Sequence, residues 1–531
     1  MLYPIGIQTF SEIREDGYVY VDKTDLIYSL THEGKIYFLS RPRRFGKSLL
    51  VSTLEAYFSG RKDLFKGLKI DSLETEWKSY PIFHLDFSGQ NFMEADTLKN
   101  VLEEFVENAE EIYGQDEIAI TLGSRFRAVL KRAYEKTGER AVVLIDEYDK
   151  PLLDVMGLDM KVQRPDSEGE VSLEDYNRGL LKGFYSVFKA ADESLKFVFL
   201  TGVTKFSQVS VFSGFNQPND ISMSPKFDTL CGITEQEMTD YFAEPISEMA
   251  EHFSCDFETM VEKLRKQYDG YHFSDRLIGV YNPFSLLNAF YHGRIDDYWF
   301  RTGTPTYLVR LLDRYDEGLD ELIGKYYTTD EFIDYKADIE KPLPMIYQSG
   351  YLTVTAYDME DNMFQLDYPN DEVRRGFVSL VASNYLKSRE NVDSWTRLTM
   401  RCLKNGNLEE FQRRVISFFA SIPYSMRRKD NEREKERYFH YTFYLLMRLS
   451  STYVTYTEKQ QSQGRVDCVV ETDRFVYIFE FKLDGTADEA LKQIEDKGYA
   501  SEYASDPRRL YKIGVSFSSE SGTVGDWKVV E

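Results

Sequence analysis

The amino-acid sequence predicts an α/β protein that contains a mostly parallel sheet. Four short apolar segments, over 36–39, 81–87, 141–145 and 197–200, alternate with helix-like stretches. Apolar strands that alternate with helices indicate a parallel sheet covered by helices on both faces. Polar residues follow three of these strands, and ligands bind at the carboxyl ends of parallel strands. We therefore expect the three polar segments to meet at one edge of the sheet.

The first polar segment has the layout of a phosphate-binding loop. An apolar strand and a turn come first, and Gly46, Lys47 and Ser48 then stand directly before a helix-like run over 49–58. In such loops backbone N–H groups surround the phosphates, the lysine reaches their oxygens, and the hydroxyl helps to hold Mg²⁺. We expect nucleotide contacts from seven loop residues: Arg43, Arg44, Phe45, Gly46, Lys47, Ser48 and Leu49.

The loop departs from the pattern G-x-x-x-x-G-K-[ST] at its first position, where this chain has Arg41. A glycine there permits a strained backbone close to the phosphates. The alternative is an accidental Gly-Lys-Ser at the start of a helix. The second polar segment favours nucleotide binding, because Asp146 and Glu147 end an apolar strand and such carboxylates orient the metal and the attacking water. We expect Asp146 to hold Mg²⁺ together with Ser48, and Glu147 to polarise the water.

The third polar segment, 201–205, raises the question of a γ-phosphate sensor. Thr201, Thr204 and Lys205 could sense the phosphate or position water, but threonine and glycine after a strand also form ordinary turns. Arg301, further along the chain, could reach a nucleotide across an interface or be a surface arginine. Both alternatives stay open at this point.

A short strand-like piece over 17–24 precedes the loop. Tyr18 and Tyr20 are candidates for packing on a nucleotide base, because an aromatic or apolar segment upstream of the loop often does so in ATP-binding folds. The alternative is that both are ordinary strand aromatics.

A chain of 531 residues is too long for one hydrophobic core, so we expect about three domains, over 1–228, 229–400 and 401–531. The middle range differs from the first, because 235–253 and 257–268 predict amphipathic helices. A small helix-and-hairpin module follows them.

The net charge of −24 lies entirely in the first 400 residues, since residues 401–531 carry 21 Lys and Arg and 21 Asp and Glu. An acidic surface disfavours sequence-independent DNA binding, which depends on cationic groups. We therefore expect any nucleic acid to contact the C-terminal part or a local groove.

Several protein classes are disfavoured by the sequence. The N-terminal residues lack the basic and apolar regions of a signal peptide, and no run of about 18 apolar residues predicts a membrane span. The four cysteines are scattered without a C-x-x-C pair, so neither a zinc site nor a disulfide framework is indicated. We expect a cytoplasmic protein without a membrane partner.

A second group of chemistry-bearing residues lies in a predicted hairpin, over 464–470 and 475–483. Glu480 and Lys482 share one face of its second strand, and Asp467 lies on the neighbouring strand. Asp467 and Glu480 could hold one Mg²⁺, and Lys482 could orient the attacking water and stabilise charge on a phosphate. The alternative is a structural Glu–Lys–Asp cluster on a half-exposed sheet.

An additional carboxylate often completes such metal sites. Glu434, Glu436 and Glu458 are candidates for it. The alternative for Glu434 and Glu436 is a solvated charged helix face, because the residues around them alternate in sign.

Nine motifs, taken together, are specific to a known family: YVDKT (20–24), RPRRFGKS (41–48), LIDEYDKP (144–151), TGVTKFS (201–207), YDGY (268–271), YNP (281–283), QSGYLT (348–353), GRVD (464–467) and EFK (480–482). On these motifs the chain resembles, over nearly its full length, bacterial AAA-ATPase-like proteins that end in a nuclease domain of the PD-(D/E)xK superfamily. The resemblance implies a P-loop NTPase core, a helical and winged-helix-like middle region, and a restriction-endonuclease-like C-terminal α/β domain. Arginine at position 41 is then a habit of the family, and the missing proline before Asp467 is a common substitution in the superfamily.

These features together predict an ATP-binding and ATP-hydrolysing switch coupled to a Mg²⁺-dependent nuclease, with ATP and Mg²⁺ as cofactors. We expect nucleic acid as a partner, with DNA favoured over RNA, and self-association stays open. One alternative is a regulatory or scaffold NTPase whose nuclease-like domain is inactive and only binds. Another is a component of DNA mobility or defence.

Overall fold

The structure is a computed structural model of the full chain, and the described residues form two compact units, Met1–Val373 and Arg374–Glu531. The structure describes the whole chain except residues 164–168, 207–217, 303–306, 309, 311–321, 334–341, 387–391, 422–438, 440–441, 444–445, 448–453 and 462–463. Only the backbone is described at 382–386, 392–394, 396–397, 454–461 and 464–465. The division into three domains stays a prediction.

The first unit alternates helices with strands. Its described helices are α1 Phe10–Glu15, α2 Thr24–Glu33, α3 Lys47–Phe58, α4 Lys62–Phe65, α5 Lys69–Leu73, α6 Thr97–Tyr113, α7 Leu122–Thr137, α8 Lys150–Leu153, α9 Leu173–Tyr185, α10 Val187–Ala190, α11 Glu235–His252, α12 Phe257–Tyr268, α13 Pro283–His292, α14 Thr329–Phe332 and α15 Leu343–Gln348. Its described strands are β1 Ile36–Ser40, β2 Ile82–Asp86, β3 Ala141–Asp146, β4 Lys161–Gln163, β5 Glu170–Ser172, β6 Leu195–Gly202, β7 Asn219–Asp220, β8 Ile233–Thr234, β9 Val280–Tyr281, β10 Tyr326–Tyr327, β11 Thr353–Asp358 and β12 Met363–Asp367.

The main sheet of this unit has the strand order β2-β3-β6-β1-β7, and its neighbouring strands pair in parallel. Every residue of β3 is buried, as expected for a central strand between helical layers. The predicted α/β class and the four predicted strands are confirmed. Because β6 lies between β1 and β3, the residues that follow all three strands come to one edge.

The piece over 17–24 is not a strand, and this expectation was wrong. Residues 18–23 have no sheet partner, and Thr24 begins α2. The Asp22 side chain accepts hydrogen bonds from the backbone N–H and the hydroxyl of Thr24, at 2.9 and 2.6 Å. A short polar side chain that accepts from the backbone N–H two residues further on favours the start of a helix over a strand.

Helices α11, α12 and α13 build a second apolar core in the first unit, from side chains such as Phe242, Met249 and Leu264. The predicted helices over 235–253 and 257–268 are confirmed, with bounds within one residue. Thr234 and Glu237 form a reciprocal capping box at the start of α11, which satisfies backbone donors that the helix leaves free. The strands β11 and β12 form the expected hairpin.

The second unit contains a five-stranded mixed sheet in the order β13-β14-β15-β16-β17. Only β15 and β16 pair in parallel there. Its described elements are α17 Val392–Lys404, α18 Leu408–Ser421, β13 Val454–Gln461, β14 Gly464–Glu471, β15 Phe475–Leu483, α19 Ala487–Asp496, β16 Arg509–Ser518 and β17 Thr523–Val530, and a helix α16 Asp371–Leu386 precedes them. The predicted hairpin of β14 and β15 is confirmed.

Side chains of β15 alternate between two faces of this sheet. Phe479 and Phe481 are buried on one face, where their rings contact Phe411 and Phe443. The opposite face carries the polar positions predicted for a site and packs against α19.

Candidate functional site

The phosphate-binding loop and the acidic pair meet at the carboxyl edge of the main sheet. Ser48 stands at the start of α3, close enough to Asp146, the last residue of β3, to lower the pKa of its carboxyl group. Gly46 adopts φ +87°, a left-handed conformation that glycine tolerates without strain, directly before the helix. The expected convergence of the two segments is confirmed, although their roles stay predictions.

Lys47 is buried beneath the loop. Its ammonium donates hydrogen bonds to the carbonyl oxygens of Arg41 and Pro42, at 2.9 and 3.1 Å. Burial lowers the pKa of Lys47, and the nearby carboxylates of Asp146 and Glu147 oppose that shift. The ammonium therefore rests on two neutral acceptors at the place where phosphate oxygens would offer charged ones.

The acidic pair combines burial with an unusual backbone. Burial raises the pKa of Asp146, and the nearby Ser48 side chain opposes that shift. Burial also raises the pKa of Glu147, and Lys47 lowers it. Glu147 has φ +49°, a left-handed conformation that costs a residue with a Cβ about 1–2 kcal/mol. Strain of this kind persists where surrounding contacts enforce it, as at functional sites.

The segment 201–205 lies between the loop and the acidic pair, because it follows β6. The Thr201 hydroxyl is buried and makes no hydrogen bond to any described residue. Thr204 donates its hydroxyl to the Asp149 carboxylate instead. Lys205 forms an ion pair with Asp220 at 2.9 Å. Of the three sensor candidates, Thr201 alone presents a polar group that no described residue engages.

Arg41 occupies the position of the usual first glycine, and its side chain is buried. The guanidinium donates to the carbonyl oxygens of Ser40, Ser222 and Phe227, at 2.9, 2.7 and 3.3 Å. It also stacks over the Phe273 ring, 3.9 Å from the centroid. Arg41 thus links the backbone at the end of β1 to the backbone that follows β7.

An apolar cavity of about 110 Å³ opens beside the loop. Phe45, Gly46 and Leu49 line it, together with Tyr20 and side chains from the start of the α11–α13 core. Tyr18, the other tyrosine considered for base packing, is not among its lining residues. A mainly apolar cleft with few polar groups is typical of a small-molecule site, and its place next to Gly46 suits a nucleotide base.

Arg301 forms a surface ion pair with Asp296, with its two terminal nitrogens 3.0 and 3.1 Å from the carboxylate oxygens. Its side chain is 66% exposed. This geometry favours the interpretation of Arg301 as a surface arginine.

The second candidate site lies in the second unit, on the face of β15 that packs against α19. Lys482 donates to the side-chain oxygen of Gln493 at 2.6 Å, and the amide nitrogen of Gln493 donates to Glu480. Asp467 accepts a hydrogen bond from the backbone N–H of Phe481 at 2.8 Å. The structure therefore brings Asp467, Glu480 and Lys482 together and adds Gln493 from α19.

Glu480 is 1% exposed, and one of its carboxylate oxygens has no hydrogen-bond partner among the described residues. Burial, with a smaller contribution from the Asp467 carboxylate, raises the pKa of Glu480 to about 8. A buried carboxylate oxygen without a partner, next to a second carboxylate, is costly by itself and fits a cation with oxygen ligands.

The carboxylates that would complete a metal shell are not located. In the described part of the chain, groups of three or more His, Cys, Asp or Glu side chains that could hold a metal ion are absent. Glu434 and Glu436 lie outside the described residues, and of Glu458 only the backbone, in β13, is described.

Comparison with known proteins agrees with the predicted ATPase-like and nuclease-like parts of the chain. A family model described as "Predicted AAA-ATPase" matches residues 4–212, and the model of the PD-(D/E)XK nuclease superfamily matches residues 434–527. A protein of Azotobacter chroococcum mcd 1, named "Uncharacterized protein in vnfD 5'region", is 35% identical over 530 residues, which cover 98% of this chain and 97% of that protein. The chain belongs to the AAA-ATPase-like family that carries a C-terminal PD-(D/E)XK nuclease-superfamily domain.

A solved structure of the Aeropyrum pernix ORC1 protein in complex with DNA is a remote match to this AAA-ATPase-like protein. It is 10% identical, with 86% of this chain and 90% of that chain covered, and its TM-score is 0.24. A likeness at that TM-score carries no argument about fold or function.

Two further observations bear on the classes that the sequence disfavours. None of the helices in the described ranges has both the length and the apolar composition needed to cross a bilayer. The four cysteines form no disulfide.

Proposed function

We propose that this AAA-ATPase-like protein binds and hydrolyses ATP with Mg²⁺ at the 41–48 loop, and cleaves nucleic acid with Mg²⁺ at the Asp467–Glu480–Lys482 site. The main support for the first activity is the closeness of the Ser48 hydroxyl to the Asp146 carboxylate, whose pKa it lowers. These are the loop hydroxyl and the strand-end carboxylate that together hold Mg²⁺ in phosphoryl-transfer enzymes of this class.

At the first site, each residue has a chemical task that its position permits. Lys47 would exchange the carbonyl oxygens of Arg41 and Pro42 for phosphate oxygens, which accept stronger, charge-assisted hydrogen bonds. Ser48 and Asp146 would hold the metal ion, which neutralises charge on the phosphates. Glu147 would accept a hydrogen bond from the attacking water and so orient it.

At the second site, Asp467 and Glu480 would hold Mg²⁺, which supplies Lewis-acid activation of a phosphodiester. Lys482, oriented by Gln493, would stabilise charge that develops on the phosphate. This second activity is supported by the partnerless oxygen of Glu480 and by the match to the nuclease superfamily.

We favour DNA over RNA as the substrate and a cytoplasmic location, in keeping with cysteines that form no disulfide. The second candidate function is a scaffold NTPase whose nuclease-like unit binds without cleaving. It is favoured by the observation that, among the residues whose side chains the structure describes, two carboxylates are located at the second site.

Paired substitutions in the full chain test the two sites separately. Lys47→Ala should abolish Mg²⁺–ATP binding measured by calorimetry, whereas Lys131→Ala, at a lysine with a 73% exposed side chain, should leave it unchanged. Glu480→Gln should stop cleavage of plasmid and single-stranded substrates while ATP turnover continues, and Glu495→Gln, on the exposed side of α19, is its control. ATP affinity unchanged in Lys47→Ala would refute the nucleotide site. No cleavage by the parent protein on any substrate, with ATP hydrolysis intact, would favour the scaffold.

A further inference from the structure

The outer side of the phosphate-binding loop is enclosed by residues from outside the matched ATPase segment. The Phe45 ring contacts Tyr271 edge-on, with centroids 4.7 Å apart. A Cβ placed on Gly350, which has φ +87°, would lie 2.6 Å from the Cβ of Pro42, so only glycine fits there. The family model for the ATPase ends at residue 212, and the loop therefore depends on side chains that the ATPase core does not contain.

Trp299 makes a direct hydrogen bond to this loop. Its indole N–H donates to the backbone carbonyl of Arg43 at 3.0 Å, and the side chain is buried. A buried indole N–H requires an acceptor, and here the acceptor is the backbone of the loop itself.

The position of Trp299 is fixed in turn by Glu372. The backbone N–H of Trp299 donates to one carboxyl oxygen of Glu372 at 2.6 Å, and the Ser285 hydroxyl donates to the other at 2.7 Å. Glu372 is buried and lies in the first turn of α16, while Ser285 lies in α13. Residues of two helices thus fix the backbone of Trp299 beside the loop.

The peptide that Trp299 contacts carries a potential phosphate donor. The carbonyl of Arg43 and the N–H of Arg44 belong to one peptide unit, and the described chain has no cis peptide bond. In a planar trans peptide these two groups point in opposite directions. A hydrogen bond that fixes the carbonyl toward Trp299 therefore fixes the N–H of Arg44 away from it. Arg44 also has φ +67°, a strained conformation that relaxes unless contacts enforce it.

We propose that Trp299 is a positioning residue of the nucleotide site, which holds the Arg43–Arg44 peptide so that the N–H of Arg44 is available to a phosphate. The inference rests on the proposed nucleotide site and adds a residue beyond the matched ATPase segment. Without the indole donor, the 43–44 peptide is free to rotate, and nucleotide binding has to order it each time. The affinity of the loop for nucleotide therefore depends on how well the loop is ordered before the nucleotide binds.

The test is a tryptophan replacement in the full chain with a matched control. Trp299→Phe keeps an aromatic ring and removes the N–H donor. Trp77→Phe is the control, because the Trp77 indole N–H is buried without a hydrogen-bond partner among the described residues. Affinity for Mg²⁺–ATP should fall about fivefold to tenfold in Trp299→Phe, which corresponds to about 1.0–1.4 kcal/mol. It should change less than twofold in Trp77→Phe.

A second measurement follows the mobility of the loop in the absence of nucleotide. Amide hydrogen exchange of peptides covering 41–48 should speed up in Trp299→Phe and stay unchanged in Trp77→Phe, since only the first substitution releases the 43–44 peptide. If Trp299→Phe does not fold, benzothienylalanine incorporated at position 299 replaces the N–H by sulfur while keeping the ring size. The same loss of affinity and protection is expected from it.

The outcomes separate this inference from the proposed function. If the parent protein binds ATP and the folded variants at position 299 match it in affinity and in loop exchange, the positioning role of Trp299 is overturned and the nucleotide site stands. If the parent does not bind ATP, the nucleotide site fails. In that case faster amide exchange of the loop in Trp299→Phe would still support the conclusion that Trp299 positions the Arg43 carbonyl. Unchanged exchange would overturn that conclusion.

Discussion

The carboxylate of Asp149 accepts two hydrogen bonds from Thr204, one from its backbone N–H at 2.6 Å and one from its hydroxyl at 2.8 Å. The backbone N–H of Val203 donates to the same oxygen at 2.9 Å. Asp149 is buried just beyond the acidic pair, and Thr204 follows the neighbouring strand β6. A Cβ on Gly202 would lie 2.4 Å from this carboxylate. Asp149 therefore joins the segment after β3 to the segment after β6.

Replacing Asp149 by alanine should destabilise the first unit strongly. The change leaves two buried backbone N–H groups without an acceptor, and each unsatisfied group costs about 1–3 kcal/mol. Thr204→Val removes only the hydroxyl hydrogen bond and should cost about 1 kcal/mol. Thermal unfolding followed by circular dichroism measures both variants. Equal unfolding temperatures for Asp149→Ala and the parent would show that the segments do not depend on this carboxylate.

Restoring the usual loop pattern with Arg41→Gly should weaken the protein. The substitution leaves a large cavity under Phe273 and removes the donor that three buried carbonyl oxygens share. Truncation of a large buried side chain costs about 3 kcal/mol or more. We expect a lower unfolding temperature and weaker ATP binding than in the parent protein. A variant at position 41 that is as stable as the parent and binds ATP more tightly would contradict this account.

The sequence could predict the parts of the site that are local in the chain. A strand, a turn and Gly46-Lys47-Ser48 form one continuous pattern, and so does the strand that ends in Asp146 and Glu147. The alternation of Glu480 and Lys482 along β15 is equally local. Because both patterns lie at the carboxyl ends of parallel strands, their meeting at one edge can be predicted without knowing the structure of the loops between them.

The supporting contacts could not be predicted in this way, because their partners are far apart in sequence. Arg41 binds a carbonyl 181 positions away, and Trp299 binds the loop 256 positions away. Nothing in the sequence around Arg41 distinguishes an arginine that faces phosphate from one that faces the core. The same holds for Asp149, whose acceptor role depends on how β3 and β6 are paired. Only the tertiary structure places these side chains.

The stability of the first unit should depend on pH through Glu372. Burial raises the pKa of Glu372 to about 8 from an ordinary value of 4.5, against the effect of its hydrogen bonds from Ser285 and Trp299. Between these two values the folded state keeps a proton that the unfolded state has lost. The stabilisation is complete below about pH 4.5 and is lost as pH rises toward 8, by at most about 1.4 kcal/mol per pH unit.

Glu372→Gln removes this titration and keeps the contacts. The amide oxygen can accept from the backbone of Trp299, and the amide nitrogen can donate to the Ser285 hydroxyl, which is able to accept. Relative to the parent, the variant should gain stability steadily from pH 5 to pH 8. Thermal unfolding across this pH range measures the difference, and a constant offset between the two proteins would contradict it.

The amide of Gln493 connects two of the three catalytic candidates of the second unit, since it accepts from Lys482 and donates to Glu480. Gln493→Leu keeps a similar volume and removes both hydrogen bonds, so Lys482 loses its orientation and Glu480 loses a neutral partner. Removal of a residue that orients metal-site side chains costs about 10–100-fold in activity or metal affinity. We expect a loss of that size in DNA cleavage, with ATP turnover unchanged.

The Gln493→Leu variant can also be tested by metal binding, without a cleavage assay. Stabilisation of the second unit by Mn²⁺, followed as a shift in unfolding temperature, should shrink in Gln493→Leu and persist in Lys492→Ala, whose exposed side chain is the neighbour of Gln493 on α19. The Mn²⁺ measurement applies even if the nuclease-like unit only binds nucleic acid, because the carboxylates of Asp467 and Glu480 would still hold the ion. A folded Gln493→Leu protein with the parental Mn²⁺ response and cleavage rate would show that the Gln493 bridge supports the sheet and not the site.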